Sequence, residues 1–556
     1  MQIVIPMSGF GERFRRAGYV LPKPLIEIEG KPVIAHVIDM FPGEQDFIFI
    51  CNEDHLANAD YHMEDILRQY CPAGRIVSIP PHKLGPIYAV NQVEHLIDAE
   101  RPVVVNYCDF TCYWDWQHFK LFVAATQCEG AIPAYKGFHP HTLGSTNYAY
   151  MRESDGWIQD IQEKQPYTGK RMEEFASSGT YYFASGRIMS AAFRATLEQD
   201  LNVGGEYYVS LAYKPLLAAK RAIAVYPLQH FMQWGTPEDV KEYMDWSAAF
   251  RRLALPYNPG STAQGSLVVP IAGLGQRFAN EGYTITKPLI PTSGKPMVLQ
   301  AVDCLPPAAH RIFVLREDMP GYQDITATLT NAYPGAVIET IPAVTEGQAC
   351  TALIGLDALA QTIGTVPGPV TFAACDFGAI YDSDALQVLV DNPEVDIVVW
   401  GVRGHANATR HPQMFGWIDA EESVIRRISV KAPLDSPNND PIVLGTFTFR
   451  RADDFRRVVA RLIARNGRVN GEFYIDSCIN DAVELGLRCH LFEVDCYLSW
   501  GTPNDFRTFE YWQACFHKWQ SHSYRLELDE HIPPAALEQL ELRYRAIVPR
   551  LPVSGS

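Results

Sequence analysis

Short apolar runs rich in β-branched side chains alternate along this chain with stretches whose apolar positions recur at helical spacing. In the first half, positions 3–6, 47–51, 76–79 and 103–106 read as strands, and 33–40 and 87–97 read as helices between them. Strands that are apolar throughout are buried on both faces, and the alternation with helices predicts an α/β fold with a mainly parallel sheet flanked by helices. Ligands of such sheets bind beyond the carboxyl ends of the strands, where positions 8–13 and 109 fall. No apolar stretch nears the roughly 18 residues that a membrane-spanning helix needs.

The pattern occurs twice. Residues 3–33 read IVIPMSGFGERFRRAGYVLPKPLIEIEGKPV, and residues 267–297 read LVVPIAGLGQRFANEGYTITKPLIPTSGKPM. Gly9, Arg13, Lys23 and Lys31 answer to Gly273, Arg277, Lys287 and Lys295 at an offset of 264. Asp109 and Lys164 answer to Asp376 and Lys431 at 267, while Gly179, Glu206 and Trp234-Gly235-Thr236-Pro237 answer to Gly445, Glu472 and Trp500-Gly501-Thr502-Pro503 at 266. So small a drift over so long a span implies duplication of a whole domain. The expected organisation is a first domain over 1–250, a Pro-, Gly- and Ser-containing linker over 251–266, a second domain over 267–516 and a tail over 517–556 with one helix at 534–544.

Composition narrows the functional classes. The 556 residues are 47% apolar and 20% charged, as in a folded globular protein, and the net charge of −17 argues against a nucleic-acid binder, which needs a basic stripe. The chain opens directly on an apolar strand, so neither a leader nor a membrane contact is expected and the expected location is cytoplasmic. The 12 cysteines show no C-x-x-C pair, and buried reduced thiols are expected.

The chemistry sits in the repeated segments. A strand followed by Ser8-Gly9-Phe10-Gly11-Glu12-Arg13 lets backbone amides approach phosphates, and Arg13 and Lys23 add positive charge. The second copy repeats this with Ala272-Gly273-Leu274-Gly275-Gln276-Arg277 and Lys287. It is not the dinucleotide fingerprint, which wants G-x-G-x-x-G and a later acidic residue. Asp109 and Asp376 each end an apolar strand, where a lone Asp is more often a helix N-cap. Their recurrence in the same surroundings favours a functional role.

Together these motifs resemble the nucleotidyltransferase superfamily that includes glucose-1-phosphate thymidylyltransferases, UDP-sugar pyrophosphorylases and phosphocholine cytidylyltransferases. The resemblance covers nearly all of both copies and implies two tandem Rossmann-like nucleotidyltransferase domains. It implies attack of an acceptor phosphate on the α-phosphorus of a nucleoside triphosphate with loss of pyrophosphate, the catalysis resting on positioning and charge neutralisation. By that likeness Arg13 and Arg277 hold the leaving pyrophosphate and Lys23 and Lys287 the α-phosphate. Ser8, Gly9, Gly11 and Gly85, with Ala272, Gly273, Gly275, Gly347 and Gln348, contact the nucleotide. Lys164, Gly179 and Glu206, with Lys431, Gly445 and Glu472, face the acceptor, and Asp109 and Asp376 bind Mg²⁺.

The implied partners are a nucleoside triphosphate and a phosphorylated small molecule, with no nucleic acid or membrane and with a homo-oligomer left open. A sugar phosphate used for surface polysaccharide precursors is the expected acceptor. The alternatives are a cytidylyltransferase acting on phosphocholine or a polyol phosphate, or one active copy beside a regulatory copy.

Three departures bear on this. Where relatives carry a second metal carboxylate, this chain has Gln233 and Ser499. At the base-facing loop, Gly85-Pro86 stands against Gly347-Gln348, and a proline there lacks an N–H donor. Beside the acceptor lysine, Glu163-Lys164-Gln165-Pro166 becomes Val430-Lys431-Ala432-Pro433, so the second copy loses the glutamate. Two non-identical sites are expected, with the first copy favoured as the catalytic one. The aromatic Trp234 and Trp500 are expected to pack and not to serve as stacking platforms.

Overall fold

The computed structural model describes residues 1–145, 147–256, 258, 260, 264–546, 548 and 549. Positions 257, 259 and 261–263 of the expected linker, and 547 and 550–556 of the tail, lie outside the described residues.

Two compact units result. The first holds Met1–Met244 and the described residues from Arg545 on; the second holds Asp245–Tyr544, and the division falls inside the helix Pro237–Leu253. The tail from residue 517 to Tyr544 is built into the second unit by buried polar contacts. Gln513 Nε2 donates to the Tyr524 hydroxyl (2.9 Å), Tyr524 donates to Asp529 (2.9 Å), and the Tyr544 hydroxyl donates to Gln513 Oε1 (2.9 Å). The expected helix appears as a short 3₁₀ turn, Pro534–Ala536, followed by Leu537–Tyr544.

The first unit is α/β, on a ten-stranded sheet. Its strands are β1 (Gln2–Met7), β2 (Phe47–Asn52), β3 (Arg75–Ile79), β4 (Val103–Asn106), β5 (Gly130–Tyr135), β6 (Ala149–Ser154), β7 (Trp157–Glu163), β8 (Phe175–Ser177), β9 (Thr180–Phe183) and β10 (Ile223–Leu228). They lie in the order β8-β6-β7-β10-β5-β9-β4-β1-β2-β3. All four strands read from sequence are present, and they form the parallel part, β4-β1-β2-β3. Beyond it the sheet is mixed: β9 runs antiparallel to both β4 and β5, and β6 and β7 form a hairpin. A two-residue connection such as the one between β6 and β7 leaves no room for a crossover and so forces antiparallel pairing.

The second unit repeats the plan in nine strands: β11 (Ser266–Pro270), β12 (His310–Arg316), β13 (Val337–Ile341), β14 (Val370–Phe372), β15 (Ile397–Val402), β16 (Gly416–Glu421), β17 (Val424–Val430), β18 (Ile442–Phe449) and β19 (Cys489–Glu493). Their order, β13-β12-β11-β14-β18-β15-β19-β17-β16, matches the first unit with β18 in place of the pair β8 and β9. Successive residues of β11 serve opposite faces. Val268 packs with Leu356, Phe372 and Phe455, while Val269 packs with Phe313, Trp400 and Trp417. That two-sided burial is why the strand is apolar at every position. Among the described residues no strand is shared between the two large sheets.

Candidate active sites at the strand ends

In the first unit the chain leaves β1 at Met7 and turns through Ser8-Gly9-Phe10-Gly11 into the short helix Glu12–Arg16. Gly11 is in the left-handed region (φ +63°), which a side chain disfavours. A Cβ added at Gly9 would meet nothing within 4 Å, so this glycine leaves backbone uncovered instead of serving a tight contact. Lys23 opens the 3₁₀ turn Lys23–Leu25, and its Nζ donates to Asp109 Oδ2 at 2.5 Å. Asp109 does not cap a helix. It lies between β4 and a small ribbon in which Phe110–Tyr113 pairs with His230–Gln233, and its carbonyl accepts from the Trp234 amide (2.9 Å). Trp234 itself is fully buried, against His36 and Tyr243.

A cleft of about 380 Å³ opens at these strand ends. It brings together Ser8, Gly9, Gly11, Lys23, Gly85, Asp109 and Glu206. Arg13, Lys164 and Gly179 are not part of its lining. Arg13 is exposed, with its charge felt at Tyr208, which does line the cleft. Lys164 donates to the Tyr208 hydroxyl and lies 4.3 Å from the centre of that ring. Gly179 (φ +102°) lends its carbonyl to the Tyr107 amide (3.0 Å), and a Cβ there would stand 2.9 Å from the Phe110 ring. Gly85 is required by a close approach: a Cβ would lie 2.7 Å from the Tyr207 amide nitrogen. The loops are tied there by Tyr207 N–H to Leu84 O (2.9 Å) and Ile87 N–H to Tyr207 O (3.1 Å), which joins the expected base loop to the segment carrying Glu206.

The second unit builds the same centre. Gly275 (φ +62°) caps the helix Gln276–Asn280, and Lys287 Nζ donates to Asp376 Oδ2 (2.6 Å) and to the Gly501 carbonyl (3.0 Å). Ala272 is buried at the end of β11, and the space beside Gly273 is open. At Gly347 (φ +144°) a Cβ would lie 2.4 Å from the Phe473 amide nitrogen, and Gln348 begins the helix Gln348–Ile363. Gly445 keeps the φ of Gly179, +102°, inside β18. Lys431 donates to the Met414 carbonyl and lies 5.6 Å from the Tyr474 ring centre. Arg277 and Glu472 are exposed, and the charges of both are felt at Lys431. A cavity of this unit, about 370 Å³, is lined in part by Glu281–Ile285, Phe506 and Arg543 and holds none of the candidate residues.

Several cleft residues escaped sequence reasoning. His82 Nδ1 accepts from the Leu84 amide (3.2 Å), which puts the ring proton on Nε2 as donor to Ser8 Oγ (3.2 Å). Burial holds His82 below the ordinary histidine range, so the ring is neutral near pH 7. Lys83 joins Glu12 at 2.5 Å on the same wall. Their one visible signal was proximity to Gly85. Cys108 and Cys375, next to the key carboxylates, have thiols that burial pushes up to about 12, so neither is a nucleophile at neutral pH.

Asp109 and Asp376 are the strand-end carboxylates open to a divalent cation, with side chains 28% and 26% exposed. Gln233 is not an anchor: it accepts from the Tyr148 hydroxyl and donates to Asp239 (2.8 Å). Ser499 likewise stands beside Asp505, which it hydrogen-bonds. One carboxylate per site suits Mg²⁺, which keeps several waters and takes other ligands from substrate phosphates. No described helix is long and apolar enough to cross a membrane.

Known proteins are similar to parts of this chain. The nucleotidyl transferase family model matches residues 3–206. The bifunctional protein GlmU of Paraburkholderia phytofirmans is 26% identical over 237 residues, covering 42% of this chain and 48% of that protein. Glucose-1-phosphate cytidylyltransferase of Salmonella typhimurium is 36% identical over 74 residues, 12% of this chain and 29% of that one. The chain thus spans about half the length, or less, of the curated relatives it matches. Among solved structures, a nucleoside-diphosphate-sugar pyrophosphorylase from Vibrio cholerae superposes with a TM-score of 0.37 at 20% identity, over 44% of this chain and 98% of that one. The inositol-1-phosphate CTP transferase from T. maritima gives 0.35 at 14%, over 46% and 98%. Through residues 3–206, this chain is thus similar to the nucleotidyl transferase family.

Proposed function

We propose that the chain is a tandem nucleotidyltransferase that joins a nucleoside triphosphate to a sugar phosphate and releases pyrophosphate. The observation that carries this reading is the centre built twice: a glycine turn at a strand end and a lysine paired to a strand-end aspartate, at 2.5 Å in one unit and 2.6 Å in the other. The acceptor phosphate is already anionic, so no protein nucleophile is required; its oxygen forms the new bond to the α-phosphorus as pyrophosphate leaves. The open turn at Gly9 and Gly273 lets backbone amides meet phosphate oxygens. Lys23 and Lys287 are oriented by their aspartates before substrate arrives and neutralise charge at the α-phosphate. Lys164 and Lys431 receive the acceptor phosphate, and Arg13 and Arg277 meet the leaving group. Asp109 and Asp376 would hold Mg²⁺, which would supply neutralisation of triphosphate charge there. The family match over residues 3–206 supports the reaction class.

The test is pyrophosphate release with a panel of nucleoside triphosphates and phosphorylated sugars and alcohols. Asp109→Asn is expected to reduce turnover on the first unit's substrate pair about 100-fold or more. Its folding should change by only about 1 kcal/mol, because the lost ion pair is partly exposed. Full turnover in both Asp109→Asn and Asp376→Asn would refute the metal assignment.

A further inference from the structure

Because the two units share one plan, a position that is acidic in one and neutral in the other can be followed through the fold. In the first unit the acid beside the acceptor lysine is Glu163, the last residue of β7. Its buried carboxyl accepts a hydrogen bond from Ser210 Oγ at 2.6 Å and is electrostatically coupled to Lys164. The matching end of β17 is Val430, but the residue matching Ser210 is Asp476, in the first turn of the helix Ile475–Glu484. The charge that most opposes the burial of Asp476 is that of Lys431.

A third position completes the exchange. Glu163 pairs with Ala149 across β7 and β6, and Val430 pairs with Gly416 across β17 and β16. A Cβ on Gly416 would stand 2.4 Å from Asp476 Oδ2. The alanine of the first unit has no room where the second unit carries its acid. Three coupled differences thus move one carboxylate from a strand end to a helix start while keeping it beside the same lysine.

We propose that Asp476 is the acceptor-side carboxylate of the second unit, a positioning residue that keeps Lys431 cationic and in place for an acceptor phosphate. It takes from the helix the place that Glu163 takes from the strand. This rests on the reading of Lys164 and Lys431 as acceptor-phosphate groups, and it removes the ground for favouring the first copy as the catalytic one. Burial lowers the Lys431 ammonium; Asp476 opposes this most, Arg277 adds to it, and Glu472 opposes it. The Met414 carbonyl and the Tyr474 ring complete its surroundings.

The experiment reads Lys431 directly in the full chain. Brief acylation with acetic anhydride over a pH series, followed by peptide mass spectrometry, gives the midpoint of its reactivity. Asp476→Asn is expected to lower that midpoint by about one pH unit, since a neutral amide cannot favour the ammonium. Asp476→Glu, and the exchange Val430→Glu with Asp476→Ser and Gly416→Ala, are expected to return it toward the wild type. An unmoved midpoint in Asp476→Asn overturns the proposal even if the exchange variant does not fold. In a Lys23→Ala background, Asp476→Asn should raise the acceptor KM about tenfold with the nucleotide KM unchanged. Absence of turnover in every variant would count against the nucleotidyltransferase reading, while the acylation midpoint would still decide the role of Asp476.

Discussion

Glu163 shows how much a single side chain depends on what surrounds it. Burial raises its carboxyl to about 7, with the Ser210 hydrogen bond and the Lys164 charge opposing. The folded first unit therefore keeps a proton that the unfolded chain, with an ordinary carboxyl near 4.5, releases. The resulting stability is complete below the unfolded value and is lost as pH rises through about 7. Glu163→Gln keeps an acceptor for Ser210 but never ionises. Denaturant unfolding of the first unit should show the variant gaining on the wild type by roughly 1–3 kcal/mol between pH about 5 and about 8. A pH-independent difference would mean that Glu163 stays ionised in the fold. The sequence marked this residue through its place before Lys164, but Ser210 carried no signal. The contact crosses from a strand end to the start of another element, and neither periodicity nor spacing encodes that approach.

At the scale of the element, the repeated glycines divide by physical role. Gly85 and Gly347 are where a loop crosses the backbone of the segment that carries the acceptor-side glutamate, with virtual Cβ atoms 2.7 and 2.4 Å from amide nitrogens. Gly9 and Gly273 have open space beside them. Gly85→Ala and Gly347→Ala are expected to destabilise their own units by about 2 kcal/mol or more, from positive φ and steric overlap together. Gly9→Ala is expected to leave the unfolding midpoint unchanged and to weaken nucleotide binding, as calorimetry would show. Destabilisation by Gly9→Ala would assign that glycine to packing. The G-K-P segment, equally visible as a repeat, has a structural use: Lys31 pairs with Asp39 and Lys295 with Asp303 (2.6 Å), each fastening a turn to the helix that follows.

For the whole molecule, duplication preserved the glycine turns with their paired lysine and aspartate and let the periphery diverge. His82 and Lys83 line the first cleft, where the second unit has Val344 and Thr345 ahead of Gly347. Pro86 stands against Gln348, and a carboxylate at a strand end, Glu163, is answered by one at a helix start, Asp476. Lys23→Ala and Lys287→Ala are therefore expected to abolish turnover on different substrate pairs when pyrophosphate release is screened on each variant. Equal losses on one pair would show the two sites to be equivalent.

Sequence alone determined the duplication, the α/β class, the glycine turns and the lysines and aspartates of both centres. Each of these rests on a short segment whose chemistry is local, and the second copy repeats each segment. Tertiary structure alone decided what those segments meet. It paired Lys23 with Asp109, set His82 against Ser8, and drew the tail up to Tyr544 into the second unit around the buried Tyr524. It also placed Asp476 beside Lys431 with Gly416 making the room. Those approaches depend on strand register and on where helices lie over the sheet, which are settled by packing of the whole core and leave no local mark on the residues concerned.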